Sequence, residues 1–156
     1  MKDQITPCLW FDHQAEEAAR FYTSVFRNSK IENISYYGSE GQEIHGQKEG
    51  TVLTVNFQIN GQKFMALNGG PVFQINEAVS FIVNCDTQEE IDYYWEKLSA
   101  VPEAEQCGWL KDKYGVSWQI VPTILGELMS DAERAPRVMK AFMQMKKFDI
   151  ERLKQA

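Results

Sequence analysis

The chain contains two histidines, His13 and His45, and three cysteines, Cys8, Cys85 and Cys107. Imidazole and thiolate are the side chains best suited to holding a transition metal or driving nucleophilic chemistry. None of these residues stands at ligand spacing from another. His13 sits beside a helix start with Glu16 and Glu17 close by, and His45 lies in a polar stretch. Each reads as a satisfied or exposed histidine. The odd number and wide spacing of the cysteines argue against a disulfide framework and a zinc cluster, while leaving open a Cys–His pair made in space. They read as small buried hydrophobes. Glu16-Glu17 and Glu89-Glu90 are possible acid or base groups, but in a first helical turn they serve the helix dipole. Asn68-Gly69-Gly70-Pro71 follows a hairpin instead of opening a helix, so it reads as a linker and not as a phosphate cradle. No dinucleotide or Walker pattern is present.

The elements that would position such residues repeat. A shift of 73 lays Glu16-Glu17 on Glu89-Glu90, Phe21-Tyr22 on Tyr94-Trp95 and Val25 on Leu98. Each copy reads as a short apolar strand followed by an amphipathic helix. Thr87 is the expected cap of the second helix, with Glu90 as its capping-box partner. In the first half, residues 30–37 read as a strand. Residues 53–59 alternate with period two, and Asn60-Gly61 marks a tight turn into 63–67. In the second half, 106–110 and 116–121 flank a turn at 111–115. Residues 38–50 are polar and glycine-rich, and read as a loop.

The halves meet near Asn76, giving module one at 1–75, module two at 76–122 and a helical extension at 123–156, together a single domain. Helices beside mostly antiparallel strands make the class α+β. In the extension, Ile124, Leu125, Leu128 and Met129, then Val138, Met139, Phe142, Met143 and Met145, recur at helical spacing. Pro136 suits a helix start, and Ile150 and Leu153 begin a last short turn. The methionine stripe reads as packing against the body or a second subunit, with a ligand wall as the alternative.

Length and composition suit one sizeable core: 156 residues, 44% hydrophobic and 24% charged. The net charge is −6, with +2 on residues 123–156 and −8 on the remainder. An acidic body offers no electrostatic footprint for nucleic acid or an anionic membrane. No apolar run approaches the ~20 residues of a membrane span. Without a hydrophobic signal region, the expected location is cytoplasmic.

Several stretches carry a family resemblance. They are Ile5-Thr6-Pro7-Cys8-Leu9-Trp10-Phe11, Ala15-Glu16-Glu17-Ala18-Ala19-Arg20-Phe21-Tyr22, Phe64 through Pro71, Asn76 through Phe81, and Cys107 through Pro122. The tail around Met139, Met145 and Ile150 looks similar as well. Together they resemble the PhnB-like branch of the vicinal oxygen chelate superfamily (the glyoxalase/bleomycin-resistance type), often labelled demethylubiquinone methyltransferase. The resemblance implies paired βαβββ modules, a mixed sheet curled around a cleft, and a partner subunit alongside. It also implies four metal ligands from the first and fourth strands of each module, here Pro7, Met65, Ser80 and Gln119.

That set is poor in donors for a catalytic divalent ion, so no metal and no cofactor are expected. His, common in the branch at the position of Val72, is absent too. Strand parity then puts Pro7, Leu9 and Phe11, Met65 and Leu67, Ser80 and Ile82, and Ser117 and Gln119 on the cleft side, joined by Thr54, Asn56 and Gln58. The expected function is a metal-free, homodimeric protein that binds a small organic ligand for sequestration or sensing. Its contacts would be Asn56, Met65, Ser80, Trp109 and Gln119, with Trp109 stacking or packing. The rival readings are a glyoxalase- or dioxygenase-type enzyme with atypical or no metal ligands, the methyltransferase of the label, and a scaffold with a filled cleft.

Overall fold

The computed structural model describes residues 5–156. Met1-Lys2-Asp3-Gln4, expected to lead straight into the first strand, lie outside the described residues. Packing divides the chain into two compact units between Ile75 and Asn76.

The first unit runs β1 (Cys8–Phe11), α1 (Ala15–Val25), β2 (Lys30–Tyr36), a one-turn helix α2 (Gln42–His45), β3 (Val52–Ile59) and β4 (Gln62–Asn68). Its sheet has the order β1-β4-β3-β2, with β1 parallel to β4 and the other pairs antiparallel. Alternation sorts the faces. Leu9, Phe11, Val55, Phe57, Phe64 and Ala66 are buried on one side. There they meet the face of α1 that carries Ala15, Ala18, Ala19, Tyr22 and Val25, and the Tyr22 ring stacks on Phe57 at 6.2 Å. Small residues at three of those helix positions allow a close approach. Asn60 and Gly61 both have positive φ, as a two-residue hairpin turn demands.

The Asn68-Gly69-Gly70 stretch is structural. Asn68, buried, accepts the Ala15 N–H at 2.8 Å and so caps α1 from another strand, since Gln14 makes no side-chain cap. A Cβ at Gly69 would lie 2.2 Å from the Trp10 ring, whose indole N–H donates to the Gly70 carbonyl at 2.8 Å. The glycine is there to seat Trp10.

The second unit runs β5 (Ser80–Cys85), α3 (Gln88–Leu98), a 3-10 turn (Pro102–Ala104), β6 (Trp109–Lys111), β7 (Ser117–Pro122), α4 (Ile124–Ser130), α5 (Ala135–Phe142) and α6 (Ile150–Lys154). Its sheet is β5-β7-β6, with β5 parallel and β6 antiparallel to the central β7. The expected capping box forms: Thr87 Oγ1 accepts the Glu90 N–H at 3.2 Å, and the Glu90 carboxylate returns to the Thr87 N–H.

Within the α+β class, local sequence sets the details of the second unit. The second unit has two strands after its helix, not three. Pro102, which lacks an N–H, sits in the 3-10 turn where the first unit has β2. The first unit holds the four-stranded sheet and the second unit the three-stranded one. The strand expected at 106–110 begins only at Trp109, because Cys107 (φ +50) and Gly108 (φ +82) are both left-handed. Among the described residues no helix is long and apolar enough to cross a membrane.

Candidate functional site

Gln119 occupies the middle of the central strand of the second sheet. Ile82 on β5 and Trp109 on β6 are its cross-strand partners. Ser80 shares that face, and the Gln119 amide Nε2 donates to Ser80 Oγ at 2.9 Å. The amide is thereby oriented, and its carbonyl Oε1 has no hydrogen-bond partner among the described residues. The same is true of the Trp109 indole N–H and the Asn84 amide. On the opposite face Phe81, Cys85, Leu110, Trp118 and Ile120 turn towards α3, whose Ile91 and Leu98 are buried.

The turn between β6 and β7 fixes this face. Asp112 is buried to 1% exposure. Its Oδ1 accepts the Tyr114 and Val116 N–H groups at 2.8 and 3.0 Å, and its Oδ2 accepts the Trp118 indole N–H at 2.8 Å. Three donors converging on one carboxylate lock the turn and the first residues of β7. At the start of β6, the Cys107 and Gly108 N–H groups donate to the Met145 and Lys146 carbonyls at 2.9 and 2.7 Å. This clamp brings the extension against the sheet.

Between them lies a cavity of about 510 Å³. The sheet contributes Ile82, Asn84, Trp109, Gln119 and Val121. The extension contributes Leu125 and Gly126 from α4, and Phe142 and Phe148, which pack edge to face at 6.0 Å. The extension is therefore a cavity wall, but its aromatic residues do this work and not its methionines. Met145 is buried, while Met139 and Met143 lie on the outside. Sequence reasoning missed Phe142, Phe148 and Leu125. Their spacing gave a helical stripe but not which element it would meet.

A second cavity, of about 630 Å³, lies between the start of α3 and α6. It is larger, and several of its polar groups are engaged with each other. Lys147 pairs with Asp92 at 2.5 Å, and the Gln88 amide spans the Phe148 carbonyl and the Ile150 N–H. The Lys147 ammonium holds the Asp92 carboxyl below the usual range. That groove fastens the extension to α3.

The first unit holds the other expected residues. Met65 on β4 is flanked by Asn56 on β3 and Cys8 on β1. The Asn56 amide donates to Asn33 Oδ1 at 2.9 Å. Thus Ser80, Trp109 and Gln119 form one group, and Asn56 and Met65 form another.

Strand parity for β1 was one residue out. Cys8 and Trp10 share the Met65 face, whereas Leu9 and Phe11 face α1. The helix caps Gln14 and Thr87 are 73 apart, but Cys8 and Ile82, partners of Met65 and Gln119, are 74 apart. The link into the second helix is one residue shorter, and one residue flips every side chain of a strand. By register the counterpart of Ser80 is Thr6, not Pro7.

His45 is a structural residue. Its Nδ1 accepts the Gln47 N–H at 2.9 Å, its Nε2 lies 3.2 Å from the Glu40 carbonyl, and its ring lies 4.6 Å from Tyr37. It closes the 38–50 segment. His13 is exposed beside Asp12. Cys85 is fully buried, and that burial, with Glu90 and Asp86 adding to it, pushes its thiol up to about 12. Partial burial raises the Cys8 thiol as well. Neither is an activated nucleophile.

The family model described as 3-demethylubiquinone-9 3-methyltransferase matches residues 3–121. A PhnB protein of Bacillus cereus carrying the same label is 41% identical, over 78% of this chain and 100% of its own, with a TM-score of 0.64.

This chain belongs to the PhnB-like family that carries the 3-demethylubiquinone-9 3-methyltransferase label.

Two more distant structures share the fold. One is protein PA1353 from Pseudomonas aeruginosa, at 19% identity over 76% of this chain and 96% of that one, with a TM-score of 0.57. The other is the fosfomycin resistance protein FosX from Listeria monocytogenes, at 13% over 81% and 98%, with a TM-score of 0.50. No curated protein matches this chain significantly.

The resemblance seen in the sequence raises the question of a metal ion, and the donor set answers it. The implied positions present a thioether, a hydroxyl and a neutral amide, with Thr6 adding a second hydroxyl on the corrected register. Divalent catalytic ions take imidazole and carboxylate. Among the described residues no three His, Cys, Asp or Glu side chains group to hold an ion. The residues do not fit the family's metal. The methyltransferase label implies an adenosyl methyl donor, which doubly wound sheets hold at a glycine-rich strand-to-helix turn. Here those turns are Asp12-His13-Gln14 and Asp86-Thr87, which do not fit either.

Proposed function

We propose that this PhnB-like protein binds a small organic molecule in the cavity over Gln119, without a metal ion and as a pair of chains, for sequestration or sensing. The observation that carries this reading is the Gln119 amide. It is held by Ser80 with its carbonyl oxygen left without a partner, in the floor of a largely apolar cavity. A cavity of about 510 Å³ is of ligand size, between roughly 300 and 1,000 Å³. Apolar walls with a few oriented polar groups are what such sites use to combine affinity with orientation. For pairing, Met139 and Met143 lie one helical turn apart at the end of α5 and stay 45% and 56% exposed, and Val72 and Phe73 are exposed side by side. Apolar side chains grouped on a surface suit association.

The test is a thermal-shift screen of small organic molecules against the native chain and Gly126→Trp. Gly126 lines the cavity, and a Cβ there meets nothing within 4 Å. Ligands that stabilise the native chain and not the variant support the reading; stabilisation indifferent to the variant refutes it. Light scattering should give twice the chain mass of 18.0 kDa, and a monomer at working concentration would refute pairing.

A further inference from the structure

We infer that the occupant of this cavity is an uncharged, flat aromatic molecule with an N–H or O–H group, selected by the C-terminal extension together with Gln119. This rests on the reading of the cavity as a ligand site and names the class of ligand.

Three observations lead to it. First, no Asp, Glu, Lys, Arg or His lines the cavity. A charged ligand would find no counter-charge on these walls, and the part of it set against them would lose hydration without compensation. Second, both walls carry aromatic rings: Trp109 on the sheet, Phe142 and Phe148 on the extension. Aromatic rings reward flat partners through offset or edge-to-face packing. Third, Ser80 accepts one N–H of the Gln119 amide and so orients it, and the amide's carbonyl oxygen is left as an acceptor for a ligand. An acceptor in an apolar cavity selects a donor, because a ligand without one leaves that oxygen unpaired.

The family match does not supply this class. It ends at residue 121, whereas Leu125, Gly126, Phe142 and Phe148 lie beyond it. Half of the cavity is therefore built by residues outside the matched stretch.

The experiment is calorimetric titration of the full chain with three matched probes: 2-naphthol, 2-methoxynaphthalene and 2-naphthoate. They share a ring system and differ in carrying a donor, a blocked donor and a negative charge. The native chain should bind 2-naphthol about tenfold tighter than either of the others, the scale of one oriented hydrogen bond. Gly126→Trp should abolish binding of all three. Gln119→Met should leave a folded chain that no longer distinguishes 2-naphthol from its methyl ether. Equal or tighter binding of 2-naphthoate, blocked by Gly126→Trp, would overturn the ligand class while the cavity reading stood. Probe binding unaffected by Gly126→Trp would overturn the cavity reading itself.

Discussion

Adding the same single methyl group at two glycines of the second unit should have opposite effects. Gly108 has φ +82, and a Cβ there would lie 2.4 and 2.9 Å from Phe148 ring carbons and 3.0 Å from the Ile120 carbonyl oxygen. The left-handed backbone costs alanine about 1 kcal/mol or more. Displacing a ring that is 3% exposed adds roughly 1–3 kcal/mol of overpacking. Gly108→Ala should therefore destabilise by about 2–4 kcal/mol. Gly126 lies inside α4 with an ordinary φ and open space around its Cβ. Gly126→Ala should stabilise by about 0.5–1 kcal/mol, from helix propensity alone. Urea unfolding followed by circular dichroism reads both. With a slope of roughly 1–3 kcal/mol per molar, Gly108→Ala should lower the midpoint by about 1 M or more, and Gly126→Ala should raise it slightly. Gly108→Ala should also weaken ligand binding, because Phe148 is a cavity wall. Two midpoints moving in the same direction, or a native midpoint for Gly108→Ala, would refute the clamp between β6 and the extension.

Asp112→Ala strands three donors, two of them on the buried residues Val116 and Trp118, and should cost about 3–5 kcal/mol in the same assay. The Cys85 thiol, raised from its ordinary 9.0 to about 12, stays neutral in the fold while it ionises in the unfolded chain. Its contribution to stability is complete below pH 9 and lost between pH 9 and about 12. Cys85→Ala should flatten that part of an unfolding-versus-pH curve. Ser80→His with Gln119→Glu places an imidazole and a carboxylate where a hydrogen-bonded pair now sits, 2.9 Å apart. Divalent-zinc titration should show binding the native chain lacks. No gain would contradict the placement of these two side chains.

How much the sequence reveals depends on the range of the signal. Thr87 and Glu90 announce a capping box, and Asn60-Gly61 a tight turn, because the interactions are local. The family resemblance puts Ser80 and Gln119 at matching ligand positions on one face, and they lie within hydrogen-bond distance. The same reasoning slipped on β1, where an offset taken from helices was applied to a strand across a link of different length. Leu9 and Phe11 were assigned to the wrong face as a result. The cavity wall was hidden for another reason. Phe142 and Phe148 advertise only an apolar stripe, and what fixes them against Gln119 is a backbone clamp from Cys107 and Gly108 to residues nearly forty positions on. Long-range pairing of that kind leaves no local pattern.

The central claim is that a ligand sits between Trp109, Gln119 and the extension. Titrating the 15N-labelled chain with 2-naphthol tests it most directly, because the four tryptophan indoles (Trp10, Trp95, Trp109 and Trp118) report separately. Trp10 and Trp118 are held by Gly70 and Asp112, while the Trp109 N–H has no partner among the described residues. The Trp109 indole resonance should move with occupancy while those of Trp10 and Trp118 stay in place. A stationary Trp109 signal under saturating 2-naphthol would contradict the account.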